Sequence, residues 1–144
     1  MAFLDSMNIS ASALTATRLR MDVIAENMAN SNTTRTADGG TYRRKYVVFQ
    51  EKPADKAFAS FFNRAQTSYG GVRVAEIGQD QSEFKLDYNP SHPDADEDGY
   101  VRYPNVEVVQ EMVDMMSAYR AYEANITALN TFKDMAAKTL EIGR

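Results

Sequence analysis

The chain contains no cysteine, which excludes disulfides, thiolate metal sites and thiol nucleophiles together. The same absence suits a protein that passes into an oxidising compartment without risk of mispairing. Positive charge is also short: 16 Lys and Arg face 20 Asp and Glu, for a net charge of −4. Such a balance points away from nucleic acid and from anionic membrane surfaces as partners. No stretch approaches the roughly 18–20 apolar residues that span a bilayer, so direct membrane insertion is not expected. Met1–Asp5 has no basic segment leading into an apolar run, so no conventional signal peptide is expected either. Enzyme signatures are missing too: there is no Cys–His pair, HExxH, glycine-rich phosphate loop or G-x-S-x-G. The sequence therefore implies no catalytic residues and no cofactor. What remains is ordinary for one folded domain, with 144 residues, 44% hydrophobic and 25% charged.

Both termini carry helical seven-residue patterns. Near the start, Met7, Leu14, Met21 and Met28 recur every seven residues, with Phe3, Ala11, Ile24 and Ala25 beside them. Near the end, Met112, Met115, Tyr119, Tyr122, Ile126, Leu129, Ala136 and Leu140 step by threes and fours, with Lys133 interrupting. Sustained 3-4 spacing predicts a helix seam that packs along another helix. The two segments are unequal. From Ser6 to Thr17 there is no charge, and Ser10 and Thr17 stand where a seam wants bulk. So thin a stripe buries little area against a backbone ordering cost of roughly 1–2 kcal/mol per residue, which implies a helix that depends on neighbours. The C-terminal helix is expected to start at Pro104-Asn105, with Asn105 as its cap. Glu107, Glu111 and Asp114 lie early in it and Lys133, Lys138 and Arg144 late, which suits the helix dipole.

Asn27, Ala29, Asn30, Asn32 and Thr33 mark a built corner after the first helix, because asparagine tolerates left-handed angles and bonds nearby main chain. Beyond a polar turn at 36–40, strands are expected over 42–50, 72–77 and 84–88, with 52–69 read as a variable loop. Arg43-Arg44-Lys45 is read as a strand face that is solvated or meets an acidic neighbour rather than as a phosphate site. The expected fold is thus mainly α with a small β-rich insert. Long N- and C-terminal helices pair as a coiled coil, with a β/loop segment between them. The divisions are 1–34, 35–103 and 104–144.

The sharpest chemical pattern is Asp94, Asp96 and Asp98 before Gly99, which is like the opening of a D-x-D-x-D-G calcium loop. Asn105 stands where a bidentate Glu belongs, and Pro90 and Pro93 block an entering helix. The preferred reading is an acidic surface loop without metal; the alternative is a calcium-responsive binding module using those three carboxylates. His92, between Ser91 and Pro93, fits a turn role.

Ala29-Asn30-Ser31-Asn32-Thr33 resembles the A-N-x-N-T signature of the bacterial flagellar axial proteins. Tyr42-Arg43-Arg44-Lys45, Gly71-Val72-Arg73-Val74, His92-Pro93-Asp94-Ala95-Asp96 and Gly99-Tyr100-Val101 are similar to segments of the proximal rod branch of that family. So are Pro104-Asn105-Val106, Glu111-Met112-Val113-Asp114-Met115, Arg120-Ala121-Tyr122-Glu123-Ala124-Asn125 and Leu140-Glu141-Ile142-Gly143-Arg144. The resemblance spans the chain except 52–69; Glu83, Thr41 and Asn89 depart from it. It implies a structural subunit exported without cleavage by the flagellar type III apparatus. Such a subunit polymerises with copies of itself and other rod proteins into the periplasmic rod of the basal body. It also implies a junction protein, linking the rod to the export gate and membrane ring, as a neighbour. Under it the aspartate loop is a subunit contact or a shaping loop.

Overall fold

The computed structural model describes residues 2–37, 39–53 and 69–142. Two long helices carry the architecture: α1, Ala2–Ala29, of 28 residues, and α2, Val108–Ile142, of 35 residues. Between them lie four strands in two antiparallel pairs. The first pairs β1 (Lys45–Pro53) with β2 (Tyr69–Gln79), and the second pairs β3 (Lys85–Tyr88) with β4 (Tyr100–Tyr103). This is the expected mainly α chain with a small β insert.

Hydroxyls in the uncharged run of α1 find their partners within the helix itself. Thr15 Oγ1 donates to the Ala11 carbonyl at 3.2 Å and Thr17 Oγ1 to the Ala13 carbonyl at 2.7 Å. Asp5 in the first turn complements the dipole. The thin stripe is backed within the single chain, since α1 packs on α2 along one side and on the β1–β2 hairpin along another. Asn27 meets Glu111, and Arg20 meets Asp114 at 3.8 Å, so the helices run antiparallel.

The hairpin comes close to α1 at Gly71. Its φ of +89° lies in the left-handed region, and a Cβ there would sit 2.3 Å from Ser12 Oγ. In that space Ser12 Oγ accepts from the Val72 N–H at 3.0 Å while donating to the Ile9 carbonyl at 2.7 Å. The 70–71 glycines therefore lie within β2 rather than before it. Register slips at Val48/Phe49 and at Glu51/Pro53, breaking the strict alternation expected of this strand. Its start also moves, from 42 to Lys45, because Tyr42–Arg44 bond to the corner and to Asn105 instead of a strand.

β4 is an addition to the expected elements. Its four residues fall between Gly99 and Pro104, too short a run to stand out from the loop around it. Val101 within it is fully buried. Asn105 is not the cap of α2. The helix begins at Val108, and the Asn105 amide accepts from the Arg44 N–H at 2.8 Å and donates to the Asp80 carbonyl at 3.1 Å. The charge order of α2 holds at its start, where Glu111 lies in the first turn and is buried in an ion pair, but no basic residue occupies the last turn. Most of the 52–69 stretch, together with Arg144, lies outside the described residues.

Candidate assembly site

Asn27, near the end of α1, is the hub of the buried polar network. It is fully buried, as is Glu111 opposite it. Its Nδ2 donates to the Lys45 carbonyl at 2.8 Å and to Glu111 Oε2 at 3.0 Å. Its Oδ1 accepts from the Lys45 N–H at 2.9 Å and from the Tyr42 hydroxyl at 2.9 Å. Both donors and both lone pairs are used, and this pattern fixes which way the amide points. The side chain thus offers β1 the pair of bonds a neighbouring strand would, and joins α1, α2 and the hairpin at one point.

Glu111 is bonded from two sides, by Asn27 and by Arg44. Its Oε1 accepts from Arg44 Nε at 2.6 Å, while the other Arg44 nitrogens reach Asp114 at 3.5 Å and Asp80 at 4.0 Å. Removing one member of such a group strands the rest without water, which is why it is costly to break. Burial, then the nearby Glu26 and Glu111 charges, push the Tyr42 hydroxyl from 10.0 up to about 12, so it remains a donor to Asn27. The Ser82 backbone N–H and hydroxyl, with Arg44 and Arg43 behind them, hold the Asp80 carboxyl below its ordinary value. The basic run is consumed here. Arg43 stacks 4.2 Å over Phe84 and donates to the Asp80 and Ser82 carbonyls at 3.3 Å, Arg44 binds Glu111, and Lys45 pairs with Glu26. The acidic-neighbour reading of that run is the one the structure bears out.

The corner beyond α1 is built, though not from left-handed asparagine. Among the described residues no non-glycine has positive φ. Instead Asn30 Nδ2 returns to the Glu26 carbonyl at 2.9 Å, and Asn30 Oδ1 accepts from Thr33 Oγ1 at 3.2 Å. The Thr33 carbonyl then accepts the Tyr42 N–H at 3.3 Å, aiming Tyr42 at Asn27. Ala29 and Asn32 are exposed.

The aspartates go to separate partners. Asp94 Oδ2 accepts from Thr34 Oγ1 at 2.9 Å and its Oδ1 lies 4.0 Å from Arg35; Asp96 pairs with Arg102 at 3.2 Å; Asp98 is exposed. Among the described residues no group of three or more His, Cys, Asp or Glu converges as a cation would require. Gly99, at φ +83°, makes the turn, and a Cβ on it would meet the Tyr88 ring at 3.0 Å. His92 acts in the turn, its Nδ1 accepting the Asp94 N–H at 3.1 Å.

The apolar positions of α2 divide into two stripes where the sequence suggests one. Glu111, Met115, Ala118, Tyr122, Asn125, Leu129, Phe132 and Ala136 are buried or half-buried, at steps of four and three. Met112, Tyr119, Ile126 and Leu140 are 49%, 59%, 37% and 77% exposed. Met112, Tyr119 and Ile126 form, with Val109 and Met116, a second stripe about a quarter turn round the helix at 3.6 residues per turn, while Leu140 follows the first stripe beyond its covered part. On α1, Ile24 is buried, while Met7, Leu14, Met21 and Met28 are half-buried. Sequence reasoning did not single out Ala118, Tyr42, Arg44 and Glu111 as structural centres, although three of them lie in segments it had marked. A charge inside an apolar helix stripe, at Glu111, was the available signal.

Two family models match. "Flagella basal body rod protein" covers residues 7–35 and "Flagellar basal body rod FlgEFG protein C-terminal" covers residues 97–142. These are α1 with its corner, and the turn, β4 and α2. Curated relatives match end to end. The flagellar basal-body rod protein FlgC of Bacillus subtilis is 48% identical over 147 residues, spanning 96% of this chain and 97% of that protein. The FlgC proteins of Borreliella burgdorferi, at 46% with 99% and 98% coverage, and of Salmonella typhimurium, at 45% with full coverage of both, are similar. A central hub made from the corner, the basic run and the start of α2, with an uncovered stripe beside it, is thus found in a chain that belongs to the FlgC family of flagellar basal-body rod proteins.

Proposed function

We propose that this chain, a structural subunit of the basal-body rod and not an enzyme, polymerises by helix packing into the proximal rod. There it joins copies of itself and other rod proteins. The resulting periplasm-spanning shaft transmits torque and encloses the export channel. In it the segments 1–34 and 104–144, which carry α1 and α2, act as one helical unit paired as a coiled coil, and 35–103 sets contacts between neighbours. The subunit reaches its place uncleaved through the flagellar type III apparatus and meets the junction protein that links the rod to the export gate and membrane ring.

The second stripe of α2 carries this reading. A folded monomer gains nothing from a row of Val109, Met112, Met116, Tyr119 and Ile126 turned to water on one helix face. Methionine in that row adapts to packing partners that differ from one rod position to the next. Ile126→Asp tests it. Ile126 is exposed, so the isolated variant keeps its melting temperature and is still exported, while cells carrying it lack rods and do not swim. Leu14→Asp, at a half-buried position, gives the same loss of rods with lower stability. Motile cells with normal basal bodies carrying Ile126→Asp would overturn the proposal.

A further inference from the structure

A groove of about 770 Å³ runs between α1 and the β1–β2 hairpin. Leu19, Val72 and Val74 line it with apolar surface, and Arg18, Lys52 and Arg73 bring cations to it. Among the described residues Asp22 is the only acidic one lining it. Among the described residues neither Arg18 nor Lys52 has an ion-pair partner, and Arg73 donates to Gln50 Oε1 at 2.9 Å, a neutral acceptor. The groove is therefore apolar within and short of negative charge.

The second stripe of α2 has the opposite character. Between Tyr119 and Ile126, four residues after the one and three before the other, stands Glu123. It is exposed and has no ion-pair partner among the described residues. Residues at that spacing share one helix face, so the stripe presents apolar side chains with a free carboxylate among them. Through Glu123, with Arg120 at the edge of the ridge three residues before it, this apolar surface offers a carboxylate to an apolar groove with a positive excess.

We propose that the groove between α1 and the hairpin of one copy receives the Met112–Ile126 stripe of a second copy, with Glu123 set among Arg18, Arg73 and Lys52. Donor and acceptor surfaces are different parts of the molecule, so the contact is head-to-tail. Repeated, it builds an open helical array rather than a closed dimer. Apolar surroundings reduce screening of the charge contact, which selects register as well as partner. The proposal rests on the rod-subunit reading and adds to it which surface meets which.

Charge exchange in cells tests the pairing. Arg18→Glu and Glu123→Arg each lower the number of complete rods per cell by about tenfold or more, the fold-change of a coupling of ~1.4 kcal/mol. The double variant restores most of it. The chain has no cysteine, so a Thr15→Cys/Tyr119→Cys variant carries the only two thiols. A short bis-maleimide applied to purified basal bodies then gives a ladder of crosslinked copies that neither single variant gives. Additive loss in the double charge variant overturns the pairing, and so do intact rods with no ladder; in both cases the chain is still in the rod. Failure to find the chain in purified basal bodies would instead overturn the rod reading itself. Where the cysteine pair does not assemble, the charge exchange decides.

Discussion

At the scale of single residues, Asn27 decides whether the chain folds. Asn27→Ala leaves the Tyr42 hydroxyl, the Lys45 N–H and the Glu111 carboxylate without their partner in a site that has no water-exposed side. At roughly 1–3 kcal/mol for each stranded buried group, a loss of about 3–4 kcal/mol in urea unfolding is expected. Asn27→Asp is worse at pH 7, since it sets a second carboxylate where the Asn27 amide lies 3.0 Å from that of Glu111. Tyr42 gives a prediction in pH. Its folded proton is held to about 12, whereas the unfolded chain releases it near 10.0. The unfolded state therefore binds fewer protons across that window, and stability falls as pH rises from about 10 to 12, by up to roughly 2–3 kcal/mol. Tyr42→Phe lacks this loss. It is less stable than the parent at pH 7, by about 1 kcal/mol for the missing bond to Asn27, and the order reverses at the alkaline end. Melting curves of the two proteins from pH 7 to 12 check this; parallel curves would remove Tyr42 from the network.

At the scale of elements, α2 shows what a sequence can and cannot convey. The 3-4 spacing of Met112, Met115, Tyr119, Tyr122, Ile126 and Leu129 correctly predicts a long helix. It merges two faces, because the intramolecular one is not mainly apolar. That face includes Glu111, Ala118 and Asn125, and what qualifies them is a partner distant in sequence. Arg44 lies 67 residues from Glu111 and Asn27 lies 84 away, beyond the reach of any local window. The same limit explains Asn105. Its place after Pro104 predicts a cap by local rules, but the Arg44–Asp80–Ser82 turn offers its amide more bonds. The aspartate loop and the Asn-rich corner were legible as turns because Gly99 and the short polar side chains act locally. The two stripes can be separated by mutation. Ala118→Leu overfills the buried seam, and a destabilisation of about 1–3 kcal/mol in urea is expected. Met116→Ser, at a position 58% exposed, changes stability by less than about 0.5 kcal/mol yet reduces rod assembly. If Met116→Ser left rod number unchanged while Ala118→Leu reduced it, the seam rather than the second stripe would be the assembly face.

At the scale of the whole molecule, packing is concentrated at one end. The corner, the start of β1, the end of α1 and the first turns of α2 meet around Asn27 and Glu111. Far along α2 the chain has less to hold it: from Lys133 to Glu141 every residue is exposed except Ala136, which is half-buried. Local opening is cheapest where few apolar contacts oppose it, so stability should be graded along the helix rather than uniform. Hydrogen exchange makes this measurable. In the isolated chain, amides near Lys45 and Glu111 exchange only through global unfolding, whereas those of 133–141 exchange orders of magnitude faster by fraying. Assembly changes only the second class. If neighbouring copies cover α2, protection of 133–141 rises by at least about tenfold in purified rods, while amides around the hub, already at the global limit, move least. Equal protection of 133–141 in the free chain and in the rod would mean that the distal part of α2 stays uncovered, and that assembly uses only the segment nearest the hub. Unequal protection would tie the packing gradient of the single chain to the order in which the rod becomes rigid.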